Sequence, residues 1–256
     1  MHINIKEDDL ASIKSWFSAF VNTFKKGGPD ILENIKLKED HTQRVCKEIL
    51  IIGKQLGLNK DEMYLAEIIA LLHDTGRFEQ YARYGTFNDK KSENHAELGI
   101  KVLQENNVLD HFQDTVKSII VKSIRYHNYA VLPDDEDEIT LFYSKMIRDA
   151  DKLDILKLIT EYYHRNNGKR NPVLELGLPD TPGFSYGVGE DLKNKRAVNF
   201  KNVHNLNDFK LMQAGWIFDI NYKPSYELIR KRRYLEKIRE VLPDTPEIDE
   251  VFPSLL

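Results

Sequence analysis

The chain has 256 residues, 41% of them hydrophobic and 30% charged, with a formal net charge of −4. That length can bury a core without disulfides or a structural metal, and the slight acidity argues against general nucleic-acid binding, which calls for a basic face. The single cysteine, Cys46, excludes an intramolecular disulfide framework and fits a reducing compartment. No apolar run approaches the about 20 residues needed to cross a bilayer. The opening residues from His2 to Leu10 are too polar for a signal peptide, so a cytoplasmic protein with no membrane partner is expected.

Apolar residues recur three and four apart along most of the chain, and period-two alternation is rare, which predicts an all-α fold. The first helix spans about 8–26 and stops at Gly27-Gly28-Pro29. A second covers 38–57, and a third covers 61–74, with Asn59 as its N-cap and Gly76 as its stop. The stretch from Arg77 to Lys91 reads as a loop over a pocket. Its aromatics Phe78, Tyr81, Tyr84 and Phe87 could stack on a base or simply pack. Helices over 93–105, 111–127 and 137–164 follow, the last with acidic residues at 134–138 complementing its dipole. Pro and Gly crowd 166–188, a long loop of the kind that often forms a lid. Helical texture returns at 189–200, 205–218 and 224–241, and an extended tail begins at 243. The whole reads as one domain, with a core at about 35–165, the loop 166–188 and a C-terminal helical extension, 189–256.

The histidines carry the chemistry. His41 shares a helical stripe with Val45, Ile49, Ile52 and Leu56, and His73 shares one with Ala66, Ile69 and Ala70. His95 lies on the face of Leu98, Gly99 and Val102. His127 follows Ile120 and Ile124, and Asp151 follows Tyr143 and Ile147. Five helices thus each turn a metal-competent group toward the core, where an unpartnered polar group is costly. A shared cation is the simplest partner for all of them. Asp74, next to His73 at a helix end, adds a second carboxylate. Imidazole and carboxylate without thiolate suit Mn, Fe, Ni, Co or Zn and differ from the cysteine-rich set of a structural zinc site.

Leu71-Leu72-His73-Asp74-Thr75-Gly76, with His41 upstream and Asp149-Ala150-Asp151-Lys152-Leu153-Asp154 downstream, resembles the H…HD…D signature of the HD (His-Asp) superfamily of metal-dependent phosphohydrolases. The resemblance covers about residues 35–165. It implies an HD-domain helical bundle in which His41, His73, Asp74 and Asp151 bind one divalent metal. Asp151 fits the register better than Asp149, which remains its rival and could support a ligand from behind. His95, in Asn94-His95-Ala96-Glu97-Leu98-Gly99, resembles the third histidine motif of binuclear members. His127 stands where their fourth is found, although paired histidines are common there and this chain has Tyr126-His127. One ion is expected, with a second possible. In mononuclear members such histidines instead contact phosphate or act as general acid.

The activity implied is hydrolysis of a phosphate ester or anhydride, in a nucleotide or another small phosphorylated metabolite. Asp74 would orient the attacking water, with His95 and His127 also in catalytic positions. Arg77, Arg44 and Lys152 are the candidate substrate-binding cations, Arg77 foremost because a guanidinium matches phosphate geometry. Two alternatives stand beside this reading. Some members with a similar six-ligand set are di-iron oxygenases, and a domain with an intact metal shell can also be a non-catalytic nucleotide sensor.

Overall fold

The computed structural model describes residues 3–165, 170–172 and 174–255. Residues 166–169 and 173, within the expected long loop, lie outside the described set. Among the described residues every regular element is helical and no strand occurs, as the periodicity predicts. The chain divides into two compact units, Met1–Asp151 and Lys152–Leu256.

The first unit holds α1 (Glu7–Phe24), α2 (Pro29–Gln55), α3 (Lys60–Leu72), α4 (Thr75–Tyr84), α5 (His95–Glu105), α6 (Asp114–Tyr126) and the beginning of α7 (Glu138–Arg165). At its centre is α3, whose residues Leu65, Ala66 and Ile68 through Leu72 are all buried. Its last five residues, 68–72, are apolar on every face, as the inside of a bundle requires, and α1, α2 and α6 pack around it. Each buried Ile or Leu there stabilises the fold by about 1.5–3 kcal/mol. Its start is fixed by a capping box in which the Asn59 side chain accepts from the Glu62 N–H at 3.0 Å and the Asn59 N–H donates to the Glu62 carboxylate at 2.8 Å.

Two elements of this unit differ from the sequence expectation. Helix α2 begins at Pro29, well before residue 38, because Pro at the first helical position starts a helix as readily as it ends one. The stretch expected as a loop from residue 77 is mostly helix α4. Gly76 resembles a stop signal in sequence, yet here it permits a close crossing: a Cβ at residue 76 would overlap the His95 carbonyl oxygen and the Gly99 nitrogen of α5. Helix α4 ends instead at Gly85, whose φ of 62° is left-handed and whose N–H returns to the Tyr81 carbonyl. Phe78 is fully buried, with its ring 5.8 Å from that of Phe17 on α1 and 6.3 Å from that of Phe20, so it belongs to the core.

In the second unit, after the remainder of α7, come α8 (Tyr186–Lys193), α9 (Leu206–Gly215), α10 (Lys223–Arg232), α11 (Tyr234–Glu240) and α12 (Pro246–Val251). The helix expected over 224–241 is split at Arg233, which has a φ of 56°. The tail is helical where it was expected to be extended. Helix α12 and a 3₁₀ turn, Phe252–Leu255, bury Ile248, Val251, Phe252 and Leu255.

The α4–α5 crossing leaves no room for a side chain at residue 76, and the opposing atoms are backbone. Gly76→Ala is therefore expected to cost at least about 3 kcal/mol and to lower the melting temperature by roughly 6–12 °C. A thermal melt within a degree or two of wild type would show that the two helices separate easily.

Candidate metal centre

Helix ends build the site. Between α3 and α4 lie only His73 and Asp74, so the chain turns a corner there. Carbonyls in the last turn of a helix lack intrahelical donors, and His73 Nδ1 turns back to one of them, the Ala70 oxygen, at 2.7 Å. His127 ends α6 in the same way, with Nδ1 2.6 Å from the Ile124 carbonyl. Buried Arg148, on α7, steadies that second corner by donating from Nη1 to the carbonyls of Tyr126 and His127, both at 3.3 Å, and to that of Tyr129. His95 opens α5 behind the N-cap Asn94, and its Nδ1 lies 2.7 Å from Asp89 Oδ2.

A carbonyl or an ionised carboxylate can only accept. In the neutral rings of His73, His127 and His95 the proton therefore sits on Nδ1, and Nε2 carries a lone pair. All three lone pairs face inward. His95 Nε2 and His127 Nε2 are 3.0 Å apart, and they lie 3.4 and 3.8 Å from Asp74 Oδ1. On the other side, Asp74 Oδ2 is 3.5 Å from His41 Nε2 and 3.7 Å from His73 Nε2. Asp151 Oδ1 completes that side, 3.1 Å from His41 Nε2 and 4.0 Å from His73 Nε2. Asp74 thus offers one oxygen to each of two groups of histidines. His73 Nε2 is buried and has no hydrogen-bond partner among the described residues.

Burial drives the histidines away from charge. His127 is pushed down to about 3 by burial and by the neighbouring His95 and His73. His73 and His95 are lowered as well, chiefly by burial. Burial works the other way on Asp74, but Lys38, His73, Arg77 and His95 overcome it and hold its carboxyl well below the usual range. Asp151 is likewise held low against the effect of its burial, by the close approach of His41 Nε2 and by neighbouring His73. Near neutral pH the centre therefore collects ionised carboxylates and, in His73, His95 and His127, imidazoles that burial holds unprotonated. Such a set suits a divalent transition ion, and among the described residues three groups have ligand atoms all within 4.8 Å of one another: His41, His73 and Asp74; His73, His127 and Asp151; and Asp74, His95 and His127.

Residues 39–156 match the family model of the HD domain. The chain carries an HD domain. No curated protein and no solved structure matches it significantly.

The HD domain brings His41, His73, Asp74, His95, His127 and Asp151 into one cluster, with Arg77 Nε 3.6 Å from Asp74 Oδ1. Asp149 is wholly buried on α7, and the grouped ligand atoms come from Asp151. Arg44 is half-buried on α2, one turn beyond His41. Lys152 pairs with Asp219 at 2.7 Å. Sequence reasoning missed three residues. Lys38 places Nζ 2.8 Å from Asp74 Oδ2. Its signal was its position one turn before His41 on the same helical face. Arg148 stands in the same relation to Asp151. Asp89 gave no signal, because its partner His95 is reached through a turn.

Burial of these imidazoles couples the fold to pH. A histidine in the unfolded chain takes up its proton near pH 6.5, whereas folded His127 takes it up only near pH 3. Between those values the unfolded state binds the extra proton, so ion-free protein loses stability as pH falls from about 6.5. His73 and His95 shift in the same direction, and the lowered carboxyls of Asp74 and Asp151 extend the loss below about pH 4. The urea midpoint of chelator-treated protein is expected to be clearly lower at pH 5.5 than at pH 7.5. Equal midpoints would mean that these rings titrate like exposed histidines.

Proposed function

We propose that this HD domain catalyses metal-dependent hydrolysis of a phosphate ester or anhydride in a small phosphorylated metabolite such as a nucleotide. The observation that carries the reading is the division of Asp74, with one oxygen toward His41 and His73 and the other toward His95 and His127. His41, His73, Asp74 and Asp151 would hold one divalent ion, and Asp74, His95 and His127 a second. Such ions polarise a phosphoryl oxygen and make water a competent nucleophile near neutral pH.

The chain's own groups fill the remaining roles. Lys38 is the leading phosphate contact. Its ammonium sits against Asp74 Oδ2 and 5.5 Å from the centre of the Phe87 ring, with its side chain 18% exposed. Arg77, foremost on sequence grounds, has Nη1 engaged by Gln80, the Phe87 carbonyl and Asp89 at 2.5–2.8 Å. It therefore adds positive charge beside Asp74 more than an open fork for phosphate. His95 and His127 serve better as ligands than as proton donors, since burial disfavours their charged forms and an efficient general acid titrates near the working pH. Asp74 retains the role of orienting water through its carboxylate.

A bridged pair of ion sites would also suit two irons, which keeps an O₂-dependent oxidation as the second reading. The deciding assay combines metal analysis with a phosphate-release screen of nucleotides and sugar phosphates, run with and without chelator and with and without O₂. Phosphate release that needs the metal and persists anaerobically is the expected result. Turnover that requires O₂ and liberates no phosphate would favour the oxygenase. Tight nucleotide binding without any turnover would favour a sensor.

Removing the Lys38 charge tests the substrate side. Lys38→Met is expected to leave ion content intact and raise KM for a phosphorylated substrate about 10–100-fold, as loss of a charge-assisted hydrogen bond would. An unchanged KM would remove Lys38 from the phosphate site.

A further inference from the structure

Asp89 stands outside the six ligands, on the 3₁₀ turn Asp89–Lys91 that follows α4. Its carboxylate is closely surrounded by donors. Oδ2 accepts from His95 Nδ1 at 2.7 Å, and Oδ1 accepts from Arg77 Nη1 at 2.7 Å and Gln80 Nε2 at 2.9 Å. Gln80 is fully buried, and its Nε2 also donates to Ser92 Oγ at 2.8 Å and to the Glu93 carbonyl at 3.0 Å. Arg77 Nη1 in turn reaches Gln80 Oε1 and the Phe87 carbonyl. These bonds aim Asp89 at one edge of one ring.

The proton of neutral His95 has two possible places. With Asp89 on Nδ1, the proton stays there and the Nε2 lone pair faces Asp74 Oδ1 and His127 Nε2. Without Asp89, the better place is Nε2, where the proton finds the His127 lone pair 3.0 Å away and Asp74 Oδ1 at 3.4 Å. A proton there occupies the position a metal needs. His127 has no such choice, because Nδ1 is held by the Ile124 carbonyl. His73, on the other side of Asp74, is held by the Ala70 carbonyl. Of the three rings with a defined anchor, only His95 depends on a side chain.

We propose that Asp89 is a positioning residue that selects the metal-binding tautomer of His95 and so sets the affinity of the His95–His127–Asp74 half of the cluster for a divalent transition ion. The inference rests on the two-ion reading above, and it assigns Arg77 and Gln80 the task of holding Asp89 in place.

The test is titration of chelator-treated protein with Mn²⁺, followed by calorimetry and electron paramagnetic resonance. It compares wild type with Asp89→Ala, Asp89→Asn, His95→Ala and the Asp89→Ala/His95→Ala pair. Wild type is expected to take two ions and give a spin-coupled signal. Asp89→Ala should bind the second ion about 10–100-fold more weakly, the usual effect of losing a residue that orients a ligand. Its first ion should bind as before, and an isolated six-line Mn²⁺ signal should appear at one equivalent. Asp89→Asn keeps an acceptor oxygen without the charge and should fall between. It carries the comparison if the alanine variant does not fold. The double variant should bind no more weakly than His95→Ala alone, because both changes act on one ligand. Two ions bound by Asp89→Ala as tightly as by wild type, with His95→Ala impaired, would overturn the role of Asp89 and leave the two-ion reading standing. Equal weakening of both ions in Asp89→Asn would make Asp89 a general structural residue and likewise overturn the proposal. A wild-type protein that takes a single ion and is indifferent to His95→Ala would overturn both readings.

Discussion

Three ring protons held on Nδ1 determine what this cluster of histidines can do. His73 and His127 give theirs to backbone carbonyls, and His95 gives its proton to Asp89. Each bond leaves a lone pair on Nε2, and each lone pair faces Asp74. An interior that gathers acceptors in this way is unfavourable unless something positive joins it, since buried groups without partners cost free energy. Lys38 supplies part of that charge at Asp74 Oδ2. The donor chemistry points to a divalent ion for the rest.

The anchors follow from where helices stop. Helices α3 and α6 each leave late carbonyls without intrahelical donors, and a histidine placed just after the last turn can return to one. The ring is then fixed by backbone and needs no dedicated side chain. Asp74 gains its position from the same corner, because the break between α3 and α4 is only two residues long. Helix α5 adds His95 at close range, which Gly76 permits by letting two backbones approach without an intervening Cβ. Site geometry and helix packing are here one arrangement, and a change in the α4–α5 crossing would move a ligand.

What could be read from the sequence divides along the same lines. The helical fold was visible in the periodicity, and the six cluster residues were visible because each lies on a core-facing stripe or at its end. Local punctuation was less informative. Pro29 and Gly76 both resembled stops, yet Pro29 begins α2 and Gly76 sits inside α4, because the same residue types serve initiation, termination and close packing. Arg233 broke a helix that the pattern had made continuous, through a left-handed φ that non-glycine residues seldom adopt. Within the site, groups one turn from a ligand, such as Lys38 and Arg148, could have been inferred from helical spacing. Asp89 could not, since its bond to His95 depends on the shape of the turn between α4 and α5.

The arrangement is difficult to justify by stability alone. Asp74 is ionised in the interior and the part-buried Asp151 beside it, and four imidazoles surround them where apolar side chains of similar volume would pack without desolvating a charge. Replacing buried polar networks with hydrophobic residues is often neutral or stabilising, so the cluster has an energetic cost to the ion-free fold. A bound cation reverses the sign, because it satisfies the lone pairs and the carboxylates together and stabilises the state that binds it. The two halves would not respond alike. Around His73 the tautomer is held by backbone, whereas at His95 it is held by a carboxylate that itself depends on Arg77 and Gln80. A centre built this way keeps one half under the control of helix geometry and leaves the other sensitive to the turn between α4 and α5.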